Sequence, residues 1–134
     1  MTAVDASPEL IEIARLNVPE AAFHVDDMRL LDLDETFDGI VAWNSAFHLT
    51  AQDQRKIFAI YRKHARPRAA LMFTSGVSCG EALGEFEGEA LYHASLDPDE
   101  YRALLAENGF KVIEHVIEDP TCSGHTVWLA QFAP

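Results

Sequence analysis

The order of the apolar runs constrains this chain most. Phe37 to Ala42 contains Ile40 and Val41 in a nearly continuous apolar run, and Ala69 to Phe73 repeats the pattern. Short unbroken runs of this kind suit strands that are covered on both faces. Between them, Thr50-Ala51-Gln52-Asp53 reads as a capping box that opens a helix running to about Ala65, with Ile57, Ile60, Tyr61 and His64 on its inner face. Arg66-Pro67 ends it. The same alternation precedes this unit. Thr2 to Asp5 is a short strand, and Ser7 with Pro8 supplies an N-cap and a first-turn proline. Leu10, Ile13, Ala14 and Asn17 then keep the spacing of one helical face, Pro19 stops the run, and Ala21 to Val25 forms a second strand ending in Asp26-Asp27. Strand and helix in turn imply a parallel sheet covered by helices.

The C-terminal third departs from this rhythm. Gly76 to Ser95 reads as a long, glycine-punctuated connection rich in acids and aromatics, a length that usually carries function or disorder. Asp97-Pro98-Asp99-Glu100 starts a third helix, with Tyr101, Leu104 and Leu105 facing inward and Gly109 where a left-handed cap is wanted. Phe110 to Val116 and Thr126 to Phe132 are then two strands close enough in sequence to pair antiparallel.

A chain of 134 residues, 49% apolar and 24% charged, has the bulk of one ordinary domain spanning 1–134. It buries roughly two-thirds of its unfolded surface without staples. Cys79 and Cys122 stand alone, and the six histidines form no HxH or HExxH grouping, so no metal site is expected. No run approaches the length of a membrane span and the first residues lack a secretory layout, so a soluble, cytoplasmic protein is expected. The formal charge of −12, from 22 acidic and 10 basic residues, repels phosphate backbones and anionic lipid, which disfavours nucleic acid and membrane as partners.

In an open parallel sheet, ligands bind beyond the carboxyl ends of the strands. Those positions hold Asp5, then Asp26 and Asp27, then Trp43, Asn44 and Ser45. An ionised carboxylate accepts two hydrogen bonds at once, so Asp5 suits the paired hydroxyls of a ribose. Asp27 suits the amino hydrogens of an adenine, with the apolar Met28 beside the ring.

The run Ala3-Val4-Asp5-Ala6-Ser7-Pro8-Glu9-Leu10 is followed by the acid at Asp27, by Phe37-Asp38-Gly39-Ile40-Val41, by Phe47-His48-Leu49 and by a helix ending in Arg66-Pro67. Together these resemble the class I S-adenosylmethionine-dependent methyltransferases over nearly the whole chain. The resemblance implies an α/β fold of three layers, a Rossmann-like sheet that is mostly parallel with an antiparallel C-terminal strand pair. It implies S-adenosylmethionine as cofactor, with Asp5 as the ribose acid, Asp27 as the adenine acid and Met28 as a backbone contact to adenine. Trp43 and Asn44 fall where the cofactor's methionine part and the methyl acceptor are bordered. Two features depart from the family. Its first strand and GxGxG loop have no counterpart, so a partial domain is expected, whose unpaired strands offer edges for self-association or a partner chain. The turn after Pro67, usually glycine-bearing, reads Arg68-Ala69-Ala70.

The activity so implied is methyl transfer to a small-molecule acceptor. Orientation and exclusion of water do most of the work in such a transfer. His48, Tyr92 and His93 are the candidates for taking a proton from the acceptor. Trp43, Phe47 and Tyr92 offer ring faces to a sulfonium or an organic acceptor. Glu81, Glu85, Glu87 and Glu89 offer selection of a cationic one. Two rivals remain in view. One is a nicotinamide-dependent oxidoreductase fragment, which the second acid and the antiparallel finish oppose. The other is a non-catalytic interaction module derived from a methyltransferase.

Overall fold

The computed structural model describes residues 1–86 and 88–134 and has an α/β fold. The chain divides into two compact units, Met1–Leu33 and Asp34–Pro134.

The first unit is one strand–helix–strand passage. Strand β1 (Thr2–Asp5) leads into helix α1 (Pro8–Asn17), and β2 (Ala22–Val25) pairs parallel to β1 with Asp5 opposite Val25. Ser7 caps α1 as its sequence demands, its hydroxyl accepting from the Leu10 N–H at 3.3 Å. Of the α1 residues, Ile11 is buried and Ala14 half-buried, whereas Leu10, Ile13 and Leu16 are exposed. The helix therefore turns toward its strands through Ile11 and Ala14 rather than through the stripe begun by Leu10.

The second unit carries a four-stranded sheet in the order β3-β4-β8-β7. Strand β3 (Phe37–Ala42) runs parallel to β4 (Ala65–Ser75), joined through helix α2 (Ala51–Lys63). Helix α3 (Pro98–Glu107) precedes β7 (Phe110–Asp119), and β8 (His125–Phe132) inserts antiparallel between β4 and β7. The antiparallel C-terminal pair is thus as expected. One face of this sheet carries Leu71 and Phe73 of β4, Trp128 and Ala130 of β8 and Phe110 of β7, all buried. Against it lie Ile57, Phe58 and Tyr61 of α2 and Tyr101 and Leu105 of α3. Phe73 and Trp128 stack with planes 3° apart at 5.8 Å, and Phe58 meets Phe73 edge-on at 5.6 Å. Burying each such ring contributes about 1.5–3 kcal/mol, comparable to the buried Leu71, Ile57 and Leu105 packed with them.

The segment expected to be an irregular connection is instead a hairpin, β5 (Gly80–Phe86) with β6 (Glu89–Ser95), paired antiparallel. Its alternation of glutamate with small or apolar residues supports the pairing, while its glycines weaken the strand signal. Strand β4 also begins earlier than its apolar run, at Ala65, because a bulge at Arg66 to Ala69 lies between Phe37↔Ala65 and Gly39↔Ala70. Arg68 inside that bulge has φ of 71°, the left-handed region for which glycine is suited. Gly109, with φ of 82°, occupies the left-handed cap position after α3 as expected. Among the described residues, β1 and β3 each have a strand partner on one edge only.

Candidate functional site

Within the first unit the parallel pairing sets both expected cofactor acids at one end. The Asp26 N–H donates to the Asp5 carbonyl at 3.1 Å, extending the β1–β2 ladder by one bond, so Asp5 and Asp27 both stand at the carboxyl ends of their strands. The Asp5 side chain is exposed, and its Oδ1 accepts the Ser7 N–H at 2.8 Å. That bond orients the carboxylate and leaves acceptor capacity on both oxygens, which suits a vicinal diol.

Asp27 is differently placed. It caps the single turn Met28–Leu30, and Arg29 surrounds its carboxylate. Oδ1 accepts from the Arg29 backbone N–H at 2.9 Å and from Nε at 3.0 Å, and Oδ2 accepts from Nε at 3.0 Å and from Nη2. A carboxylate offers about four lone-pair positions, and three Arg29 N–H groups, one of them shared between both oxygens, occupy most of them. The guanidinium hydrogen bond, more than any other cause, holds the Asp27 carboxyl below the usual aspartate range. Accepting an adenine amino group there requires the Arg29 side chain, itself 51% exposed, to give way. Met28 opens the turn, a position whose N–H has no acceptor within its own helix. The donor and acceptor set of this unit, an oriented carboxylate at Asp5 and a turn-opening N–H at Met28, fits an adenosine moiety, with Arg29 as the element the sequence did not signal.

The second unit holds two clusters. Trp43 and Asn44 follow β3. Asn44 takes φ of 48° and donates its N–H to the buried Thr74 Oγ1 at 2.9 Å. Its carboxamide lies 3.4 Å from His125 Nε2, and the His125 ring meets Trp43 edge-on at 5.6 Å. Asn tolerates the left-handed region through local polar contacts of this kind. Thr74 and His125 are therefore neighbours of the expected site that no sequence signal marked, since they lie 30 and 81 residues from Asn44.

The other cluster gathers the side chains of His48 and His93, while Tyr92, one residue before His93 on strand β6, contributes its backbone carbonyl. His48, in the short turn Ala46–His48, places Nδ1 2.9 Å from the Tyr92 carbonyl oxygen of β6. The His48 and His93 rings lie 4.7 Å apart, and Phe47 meets them edge-on at 4.7 and 5.0 Å. Gly84 on the paired strand lies against the His93 ring, where a Cβ would meet Cε1 at an ordinary contact distance of 3.4 Å. A carbonyl oxygen can only accept, so His48 Nδ1 must carry the proton, and the lone pair of the neutral ring stands on Nε2. The Tyr92 phenol is pushed up, first by desolvation and then by its hydrogen bond to Glu81. It therefore stays protonated near neutral pH. Of the other acids expected to select a cation, Glu85 and Glu89 lie in β5 and β6, and Glu87 lies outside the described residues. Among the described residues no three metal-ligating side chains converge, and no helix is long and apolar enough to cross a membrane.

A methyltransferase domain family model matches residues 1–68. No curated protein matches the chain. Among solved structures, an amino pentose methyltransferase of Micromonospora echinaspora, involved in calicheamicin biosynthesis, superposes with a TM-score of 0.78 at 19% identity, covering 98% of this chain and 73% of its own. An S-adenosylmethionine-dependent methyltransferase of Methanosarcina mazei gives a TM-score of 0.80 at 18% identity, over 98% of this chain and 81% of its own. A glycopeptide N-methyltransferase complexed with S-adenosylmethionine gives 0.75 at 19% identity, over 99% and 77%. At these identities the likeness establishes the fold, while the family model, matched over half the chain, establishes kinship: the chain belongs to the methyltransferase domain family and has the fold of the class I S-adenosylmethionine-dependent methyltransferases, enzymes whose methyl donor is S-adenosylmethionine.

Proposed function

We propose that this chain transfers a methyl group from S-adenosylmethionine to a small-molecule acceptor, with Asp5 holding the ribose, Asp27 and the Met28 N–H facing the adenine, and Trp43 and Asn44 bordering the methionine part. The observation that carries the reading is the pairing of β1 with β2, which sets an exposed, oriented carboxylate at Asp5 beside Asp27 at the ligand-binding end of a parallel pair. The cofactor supplies an electrophilic methyl group. What the chain's residues contribute is orientation, exclusion of water and removal of a proton from the acceptor. His48 is the residue for the last task, because its Nδ1–H is committed to the Tyr92 carbonyl and Nε2 is left as the accepting atom. Two of the structural neighbours are by name an amino pentose methyltransferase and a glycopeptide N-methyltransferase, which supports a soluble organic acceptor over a nucleic acid. The acidic balance supports the same choice.

Calorimetric titration with S-adenosylhomocysteine tests the cofactor half. Asp5→Ala should weaken binding about tenfold or more, since hydrogen bonds to a charged group contribute about 1.5–3 kcal/mol. Unchanged affinity overturns the assignment. His48→Gln tests the other half and should lower turnover with little change in cofactor affinity. A second reading, a non-catalytic interaction module, draws on the single-sided pairing of β1 and β3 among the described residues. It predicts a monodisperse complex with another chain and no affinity for S-adenosylhomocysteine.

A further inference from the structure

Gln54 is 2% exposed on the inner face of α2, an uncharged polar side chain in an aromatic core. Buried amides persist when each donor and acceptor is matched. Here they are. Its Nε2 donates to the Leu49 carbonyl at 3.0 Å and to the Ala94 carbonyl at 2.8 Å, and its Oε1 accepts from the Tyr101 hydroxyl at 2.6 Å. The Tyr101 oxygen in turn accepts the Leu96 N–H at 3.2 Å. This network fixes which end of the amide is which. Turning it over would set Oε1 against two carbonyl oxygens and Nε2 against a hydroxyl whose lone pairs are already shared. The two carbonyls have special places in the chain. Leu49 directly follows His48, and Ala94 directly follows His93. One amide group therefore ties the backbone beside each histidine to the same point, and between those ties lies the contact of His48 Nδ1 with the Tyr92 carbonyl.

We infer that Gln54, locked by Tyr101, is a positioning residue for the proposed proton acceptor: it holds the turn bearing His48 against β6 and so keeps His48 in the tautomer that places its lone pair on Nε2. This deepens the reading of His48 as the group that deprotonates the acceptor. It makes no contact with acceptor or cofactor itself. A hydrogen bond lost from the Leu49 and Ala94 carbonyls separates turn from strand, and the imidazole then reverts to the Nε2–H form that a solvated histidine prefers.

The test needs no substrate. Long-range proton–nitrogen correlation spectra of the nitrogen-15-labelled full chain, recorded at alkaline pH, distinguish the two neutral tautomers of each histidine. His64 serves as internal control, because its Nδ1 lies 2.8 Å from the Ile60 carbonyl within α2 and is held in the Nδ1–H form independently of Gln54. In the unaltered chain both His48 and His64 should read as Nδ1–H. In Gln54→Met, which keeps the length of the side chain and removes its hydrogen bonds, His48 should pass to predominantly Nε2–H while His64 is unchanged. Retention of the Nδ1–H form at His48 overturns the inference. If both histidines lose their signature, the fold has been lost, and Tyr101→Phe decides. That variant should shift His48 partway with His64 intact, and no shift at His48 overturns the inference. The outcome is separable from the catalytic reading, since unchanged turnover in His48→Gln would remove His48 as the base without altering what Gln54 does to its tautomer.

Discussion

Residues 1–33 and 34–134 differ in how their expected chemistry is supported. In the first unit Ile11 is the one buried residue among those described, and Asp5 and Asp27 are oriented by neighbours two residues away in sequence. In the second, Trp128, Phe58, Phe73, Ile57, Leu71, Leu96 and Leu105 are essentially fully buried, and Asn44 and His48 are held by partners 30 and 44 residues away. Asp5 and Asp27 thus rest on local backbone geometry, and Asn44 and His48 rest on a packed core. Local geometry survives a poor core, because an N-cap or a turn is satisfied within a few residues. Long-range contacts do not survive it.

The steepest way to break this contrast is a pair of truncations. Trp128→Ala removes a ring that stacks on Phe73 and His115 and donates its Nε1–H to Ser75 Oγ at 2.9 Å, and it should cost about 3–5 kcal/mol by denaturant unfolding. Leu16→Ala, at a side chain 81% exposed, should stay within about 0.5 kcal/mol. A cost of several kcal/mol at Leu16 would mean that α1 carries an interface its exposure does not reveal. A smaller effect is expected at the bulge in β4. Arg68→Gly relieves a left-handed backbone at φ of 71° and should stabilise the second unit by about 1 kcal/mol, read from the same unfolding curves.

Weaker still is the contribution of the Asp27–Arg29 pair. Arg29→Ala releases the Asp27 lone pairs taken by the guanidinium while keeping the backbone N–H at residue 29, at the loss of a solvent-exposed pair, for which about 0.2–1 kcal/mol is typical. S-adenosylhomocysteine should then bind about two- to fivefold more tightly in calorimetry. Weaker binding would show that the pair itself, and not the carboxylate alone, faces the adenine. The smallest effect concerns pH. Asp27 titrates below its ordinary value of 3.8 when folded, so the stability it contributes is whole above that pH and is lost as pH falls through the lowered value. Asp27→Asn should flatten that part of the acid-unfolding profile and leave the rest unchanged.

The elements were largely legible because each is announced locally. Ser7, Thr50 and Asp97 cap the three helices as their residue types require, and Gly109 takes its left-handed place. The hairpin β5–β6 was not legible, since its glycines weaken the strand signal and its pairing is decided by cross-strand neighbours. Gln54 was passed over for a related reason. It belongs to the buried stripe of α2 with Ile57, Phe58 and Tyr61, but a polar residue joins such a stripe only when partners elsewhere satisfy it. Arg68 shows the converse, standing in a turn where the family usually bears glycine, with its backbone at a φ of 71°.

The sequence by itself determined the succession of strands and helices apart from the β5–β6 hairpin, the family, and the acids that end β1 and follow β2. Periodicity, caps and strand-end residues are properties of neighbours along the chain. Only the tertiary structure decided that Arg29 occupies the carboxylate of Asp27, that His125 and Thr74 flank Asn44, and that one buried amide ties the backbone beside His48 to that beside His93. Most of these contacts join residues many positions apart, and even the Arg29 contact depends on a side-chain rotamer. Hydrogen bonds are directional over about 3 Å, so they exist only once packing has set both partners in place.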